Sequence, residues 1–241
     1  MAVEQIWQID TSNIRYRTLS EQISDELEHI IIQKGDNLTR FPTERELSEK
    51  YGVSRSVIRE ALKLLQERGL IVMRAGDGTY TVRPGSTLIS QTLRRVIQFN
   101  RYSDDNITEI RIALEVTAVR DAAKNATDKQ IAELEAILDR MKQYKDNTDT
   151  EKRTQIDCEF HRYIAECSGN MLLAVLINSI MDMIKEYIRI RLEQNPQGNE
   201  LGIIWHQKIV DAIKNHDVDT AGSYMRDHID ASFHQLDIDP A

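Results

Sequence analysis

The sequence predicts a mainly α-helical protein, in which a small N-terminal domain ends in a β-hairpin and the C-terminal domain is an antiparallel all-α bundle of six or seven helices. Apolar residues recur at helical spacing along most of the chain. Two short β-rich runs, residues 70–73 and 79–82, flank a segment that contains glycine, which is typical of a hairpin. The Arg-Pro-Gly-Ser segment at 83–86 breaks the pattern. We take this segment as the hinge and place the domains at residues 1–84 and 85–241.

Local signals bound the three helices before the hairpin. Apolar spacing predicts a first helix over residues 19–35, and a capping box at 43–46 predicts a second helix over 44–51. Gly52 can adopt the positive φ that ends a helix, and a third helix is expected over 55–68. Helices and hairpin in this order predict a winged helix-turn-helix, with the hairpin as the wing. The third helix is expected to bury Val57, Ala61, Leu62 and Leu65.

Composition and charge limit the class of the protein. No apolar run is long enough to cross a bilayer and the N-terminus lacks a signal-peptide pattern, so we expect a cytoplasmic protein with no membrane partner. The formal net charge is −8, but residues 1–84 carry only −1 and residues 54–83 carry +3. Such a local basic face is compatible with binding to DNA phosphates. Cys158 and Cys167 are expected to be buried thiols rather than a disulfide.

The third predicted helix has the chemistry of a DNA recognition helix. Its first turn exposes Arg55, Ser56 and Arg59, and an arginine fork can donate two hydrogen bonds to guanine in the major groove. Arg45 lies one helix earlier and is placed to reach a base or a phosphate at the same edge. Ser54 can donate to a phosphate oxygen. For any single arginine, a solvated surface position remains an equal alternative.

The segment FPTERELSEKYGVSRSVIREAL at residues 41–62 resembles the signature of the GntR family of bacterial regulators. The resemblance implies a homodimeric winged helix-turn-helix protein that binds double-stranded, palindromic operator DNA. Residues 34–40 depart from the usual loop before the motif, which leaves the shape of that loop open. The DNA contacts that the family implies fall on Arg45, Ser54, Arg55, Ser56 and Arg59, and on Ala75 and Gly76 in the wing.

The second domain contains one constellation of polar residues. Asp157 and His161 are four residues apart and project from one helix face. His206 and His228 each lie on an apolar stripe, which predicts that they point inward. A divalent cation would satisfy all four groups, whereas the alternative for each histidine is a core side chain bonded to a backbone carbonyl. The solvent-facing histidines are expected to be His29, His216 and His234.

The segments around residues 157–161, 168–170, 206–213 and 226–228 are similar to the FCD sensor domain of the FadR-like branch of this family. That resemblance implies a divalent metal ion held by Asp157, His161, His206 and His228, with zinc as the first choice and nickel or manganese as alternatives. It also implies that Arg111 borders a ligand cavity, where its guanidinium would bind a carboxylate. The alternative for Arg111 is a helix-surface pair with Glu115.

Together these patterns predict a ligand-responsive DNA-binding regulator, and not an enzyme. We expect a repressor that a small carboxylate metabolite, bound near the metal, releases from its operator. Two alternatives remain open at this point. One is a metal-dependent hydrolase, because an open metal position can activate water. The other is a regulator without metal, whose ligand contacts the polar cluster directly.

Overall fold

The structure is a computed structural model that describes residues 17–35, 39–100, 103–145, 149–194 and 198–234. The chain divides into two compact units, Met1–Leu88 and Ile89–Ala241. This division falls in the first turn of a helix that begins at Ser86. Among the described residues, none of the helices is both long and apolar enough to span a bilayer.

The first unit is built as the sequence predicts, from three helices and a hairpin. The helices are α1 (Leu19–Lys34), α2 (Glu44–Tyr51) and α3 (Arg55–Glu67). The antiparallel hairpin consists of β1 (Ile71–Arg74) and β2 (Gly78–Thr81). The first strand lies one residue later than predicted and the second one residue earlier, because the pairing runs from Ile71 opposite Thr81 to Arg74 opposite Gly78. The winged helix-turn-helix is therefore confirmed, with small corrections at the strand ends.

The turn between α2 and α3 follows from the capping chemistry of the sequence. The Thr43 hydroxyl accepts from the Glu46 backbone N–H at 3.2 Å, and the Glu46 carboxylate accepts from the Thr43 N–H at 2.7 Å. Gly52 ends α2 with φ of 66°, in the left-handed region that glycine tolerates. Ser54 then caps α3. These three local signals fix the direction in which α3 leaves α2.

The core of the first unit corrects one prediction for α3. Ile58 is fully buried, whereas Val57 is only half-buried against the core. The buried positions of α3 are Ile58, Ala61, Leu62 and Leu65. This spacing of three, four and seven residues forms one helical stripe, and Val57 lies at its edge.

The second unit continues from α4 as seven helices in the described residues, in agreement with the prediction of six or seven. Helix α5 contacts α7, α8, α9 and α10, so it is the central helix of the bundle. The helices are α4 (Ser86–Asn100), α5 (Asp104–Asn125), α6 (Asp128–Gln143), α7 (Thr150–Cys167), α8 (Met171–Gln194), α9 (Gly198–Lys214) and α10 (Val218–His234).

Both cysteines lie on α7 and are buried free thiols, as the sequence predicts. Burial raises the pKa of Cys158 and that of Cys167 to about 12, because the apolar surroundings disfavour the charged thiolate. They therefore pack as small apolar side chains within the bundle.

Candidate DNA interface and candidate metal centre

The N-terminal turn of α3 presents the side chains that the sequence assigns to DNA. Arg55, Ser56 and Arg59 are all exposed. The Ser54 hydroxyl accepts from the Val57 N–H at 3.5 Å and lies 2.8 Å from the Ser56 hydroxyl. The first turn of α3 thus carries two arginines and two hydroxyls on an exposed helix end, where backbone N–H groups favour anions.

Arg59 is held by a glutamate that the sequence analysis did not single out. Its Nε donates to Glu44 Oε1 at 3.0 Å and its Nη2 donates to Glu44 Oε2 at 2.8 Å. These hydrogen bonds lower the pKa of Glu44. Because Glu44 opens α2, the pair ties the start of α2 to the recognition helix α3. Arg45, the next residue of α2, donates a single hydrogen bond from Nε to Glu49 Oε1 at 2.8 Å.

Both arginine pairs remain accessible to solvent. The side chain of Arg59 is 60% exposed and that of Arg45 is 73% exposed. Exposed ion pairs of this kind are weak, because water competes for both partners and ordering the side chains costs entropy. A DNA base or phosphate can therefore compete for either guanidinium.

The wing tip combines an open backbone with one arginine. Ala75 and Gly76 are exposed, and Gly76 has φ of 75° with open space around it. The Arg74 guanidinium lies 4.9 Å from the centre of the Tyr80 ring, and the Tyr80 hydroxyl donates to Asp77 at 3.1 Å. These contacts stiffen the hairpin below a tip that leaves room for close approach by a partner.

Three of the four predicted metal ligands converge in the bundle. The Nε2 atoms of His206 and His228 lie 3.1 Å apart, and those of His228 and His161 lie 3.3 Å apart. All three residues are only 2% exposed, as the inward orientation predicted. They come from α7, α9 and α10, so the tertiary packing of three helices forms this triad.

Asp157, the fourth predicted ligand, borders the triad at a greater distance. Its Oδ1 lies 3.8 Å from His206 Nε2, and its side chain is 15% exposed. Asp157 stands one turn before His161 on α7, so both face the same side of that helix. The carboxylate is the most solvent-accessible of the four predicted ligands.

Arg111 lies inside the bundle instead of on a helix surface. It is 3% exposed, and its Nε donates to Glu115 Oε1 at 2.7 Å. The pair with Glu115 that the sequence offered as an alternative is therefore present, but it is buried. Glu115 is itself 2% exposed, and its Oε2 lies 2.5 Å from His161 Nδ1.

Glu115 is thus a residue of the site that the sequence analysis missed. Burial disfavours the charged form of its carboxylate, but the positive charge of Arg111 and the contact with His161 outweigh burial and lower its pKa to about 2. One signal could have revealed it. Glu115 lies three, four and seven residues before Ala118, Val119 and Ala122, which are all buried on the same face of α5.

The donor set fits a divalent ion. In a zinc site with Zn–N distances of about 2.0–2.1 Å, tetrahedral ligand nitrogens lie about 3.3 Å from one another. The two Nε2 separations in the triad, 3.1 and 3.3 Å, match this spacing. A cluster of buried imidazoles also costs solvation unless each has a partner, and a metal ion supplies a common one. The residues present therefore fit the metal that the resemblance implied.

The other histidines were expected to face solvent. His29 is exposed and lies 2.8 Å from the Gln33 side-chain nitrogen. His216 is exposed as a residue, but its Nδ1 contacts the Ala123 carbonyl oxygen at 2.8 Å. The side chain of His234 lies outside the described residues.

The chain combines a winged helix-turn-helix, whose third helix is basic, with a helical domain that has a buried polar centre. This combination defines the class of the DNA-binding transcription regulators. Two family models match the chain, "Bacterial regulatory proteins, gntR family" at residues 16–81 and "FCD domain" at residues 106–231. The chain belongs to the GntR family of bacterial regulatory proteins and carries an FCD domain. Both resemblances seen in the sequence are confirmed.

Related proteins that align with nearly the whole chain support this assignment. The HTH-type transcriptional repressor NanR of Escherichia coli K12 is 30% identical over 221 residues, which cover 89% of this chain and 83% of the relative. NanR of Salmonella schwarzengrund is 32% identical over 231 residues, with 91% and 86% covered. The solved structure of Streptococcus agalactiae GntR matches with a TM-score of 0.68 at 26% identity, covering 88% of this chain and 98% of that one. These proteins are regulators, so the hydrolase alternative is excluded.

Proposed function

We propose that the protein is a ligand-responsive transcriptional repressor of the bacterial cytoplasm, released from its operator by a small carboxylate that binds near a divalent metal ion. The observation that carries the proposal is the convergence of His161, His206 and His228 inside the FCD domain, with Asp157 beside them. Repression is supported by the relatives, which are named transcriptional repressors.

The metal would be held by Asp157, His161, His206 and His228. Zinc is the first candidate, and nickel and manganese are alternatives, because imidazole and carboxylate ligands suit all three ions. When bound, the ion supplies a Lewis-acidic centre that can accept a carboxylate oxygen. The protein contributes three imidazole nitrogens already gathered in a buried cluster and a carboxylate at its more accessible edge.

Arg111 is the proposed partner of the effector carboxylate. Since its Nε donates to Glu115, an effector must share the guanidinium with Glu115 or displace it. Two parallel hydrogen bonds from the guanidinium to the effector carboxylate would stabilise the bound effector and offset the loss of the Glu115 contact. The proposed effector is therefore a small organic acid. One carboxylate of this acid would bridge the metal ion and the Arg111 guanidinium.

The test of this function is a gel-shift titration with an operator selected from random DNA. Organic acids are added to the zinc-loaded protein, and we expect at least one acid to lower operator affinity by about 5- to 150-fold, the range of ordinary allosteric coupling. Arg111→Lys keeps the charge but loses the planar fork, so its response should shift to higher acid concentrations. If no acid in a broad panel alters the affinity of the wild type, the proposed carboxylate control is wrong.

A regulator without metal remains the second candidate. The three histidines contact one another directly, and an organic ligand with hydrogen-bonding groups could bind the same cluster. Metal analysis of protein purified without chelators separates the two candidates. About one equivalent of metal per chain supports the first, and effector binding by fully metal-free protein supports the second.

We also propose that the protein is a homodimer on a palindromic operator. An apolar cleft of about 430 Å³ lies between α4, α5 and α8. Val96 and Ile110 line it and are 42% and 54% exposed. This exposed apolar surface supports an interface at the cleft, where a second copy would bury it.

Substitution of Ile110 with glutamate is expected to shift the protein from dimer to monomer, because the charge would have to be buried at the interface. Light scattering measures the mass directly. Ile204→Glu is the matched control, since Ile204 is 48% exposed on α9 and does not line the cleft. A wild-type monomer, or an unchanged dimer in Ile110→Glu, contradicts this interface.

A further inference from the structure

We propose that Glu115 is a positioning residue of the metal site, which fixes the tautomer and ring orientation of His161 so that Nε2 faces the other two histidines. This inference rests on the proposed metal site and names a residue outside its ligand set. Glu115 belongs to α5, whereas the histidines belong to α7, α9 and α10.

The side chains of Glu115 and His161 are in direct contact. Glu115 Oε2 lies 2.5 Å from His161 Nδ1, and both side chains are almost completely buried. An ionised carboxylate can only accept hydrogen bonds, so the hydrogen of a neutral His161 belongs on Nδ1. The lone pair of the ring then lies on Nε2, which is the atom that faces His228 at 3.3 Å. This is the form in which an imidazole binds a metal through Nε2.

The Glu115 carboxylate is in turn anchored by Arg111. Arg111 donates from Nε to the other oxygen, Oε1, at 2.7 Å. The guanidinium has no acceptor atoms, so this side of the carboxylate must remain an acceptor. The positive charge of Arg111 favours the ionised carboxylate, and its contact with Oε1 leaves Oε2 to face His161.

The substitution Glu115→Gln tests whether Glu115 fixes the tautomer of His161. The amide oxygen of glutamine must face Arg111, which offers only donors, so the NH₂ group is left to face His161 Nδ1. Nδ1 then has to accept, so the hydrogen of the neutral ring moves to Nε2. Metal binding at Nε2 requires that this hydrogen return to Nδ1, where it would face the amide NH₂ group, and this weakens the binding. We expect zinc affinity, measured by competition with a coloured chelator, to fall about ten- to hundredfold.

The control is Glu159→Gln. Glu159 lies on α7 and pairs with Arg140 at 2.6 Å, so it is also a glutamate in an arginine pair, but its side chain is 44% exposed and the described contacts do not join it to the triad. Its zinc affinity should equal that of the wild type. A merely structural role for Glu115 would instead lower the melting temperature of metal-free Glu115→Gln while its zinc affinity stays within about twofold of wild type, and that result overturns the proposal.

A second readout requires neither a variant nor a metal. Nitrogen NMR of the metal-free wild type, at a pH where its imidazoles are neutral, reports which ring nitrogen carries the hydrogen. We expect His161 to be protonated at Nδ1, and protonation at Nε2 overturns the proposal even if Glu115→Gln does not fold. If the wild type binds no metal but shows the Nδ1 form, the proposed metal function fails while the positioning of His161 by Glu115 stands.

Discussion

Arg55→Ala and Arg59→Ala are each expected to lower affinity for the selected operator by about ten- to hundredfold, because a bidentate contact to a base discriminates by about 1–3 kcal/mol. Affinity for random DNA should fall much less, since phosphate contacts from the remaining basic residues persist. The fold should survive, because both side chains are exposed at the start of α3. Gel shifts with operator and scrambled duplexes at one salt concentration measure both effects.

The matched control for charge is Arg95→Ala. Arg95 is an exposed arginine of α4, outside the winged helix-turn-helix elements. Arg95→Ala removes the same charge, and it should leave the ratio of the affinity for the operator to the affinity for random DNA unchanged. Retention of full sequence discrimination by both Arg55→Ala and Arg59→Ala would show that α3 does not read the operator.

Zinc is expected to stabilise the wild type against thermal unfolding and to leave His206→Ala almost unaffected. At zinc concentrations a hundredfold above the dissociation constant, binding to the folded state contributes about 2.7 kcal/mol. For a chain of this length the melting temperature should rise by about 5 to 10 °C. The variant loses one of the three converging nitrogens, so the measured quantity is the zinc-induced shift within each protein, obtained by calorimetry.

His29→Ala supplies the control, because His29 is an exposed histidine of α1 outside the triad. Its zinc-induced shift should match that of the wild type. Equal shifts in wild type and His206→Ala would place any bound zinc elsewhere on the chain and contradict the proposed centre.

The winged helix-turn-helix was predictable from the sequence because local chemistry determines it. The capping box at Thr43 and Glu46, the left-handed Gly52 and the cap at Ser54 all act within a few residues, and each occurs as predicted. It was harder to predict which of Val57 and Ile58 is buried, because adjacent residues lie about 100° apart on a helix and both of these are apolar. The burial of Ile58 in the core that α3 shares with the neighbouring elements is a tertiary property.

The candidate metal centre was only partly predictable for the same reason. His206 and His228 were found because each lies on an apolar stripe, and His161 was found because it lies four residues after Asp157 on one helix face. Glu115 was missed because a local partner, Arg111, lies four residues before it, and such pairs usually occupy helix surfaces. That the pair is buried depends on α5 being central in the bundle, and no single helix reveals this.

The buried cysteines of α7 have a practical consequence for this regulator. Only a thiolate reacts readily with alkylating reagents, and with a pKa of about 12 neither Cys158 nor Cys167 forms one to any extent near neutrality. The folded bundle is therefore shielded from thiol reagents, and a chain becomes labelled only while α7 is displaced. The rate of labelling therefore measures how often the FCD domain opens.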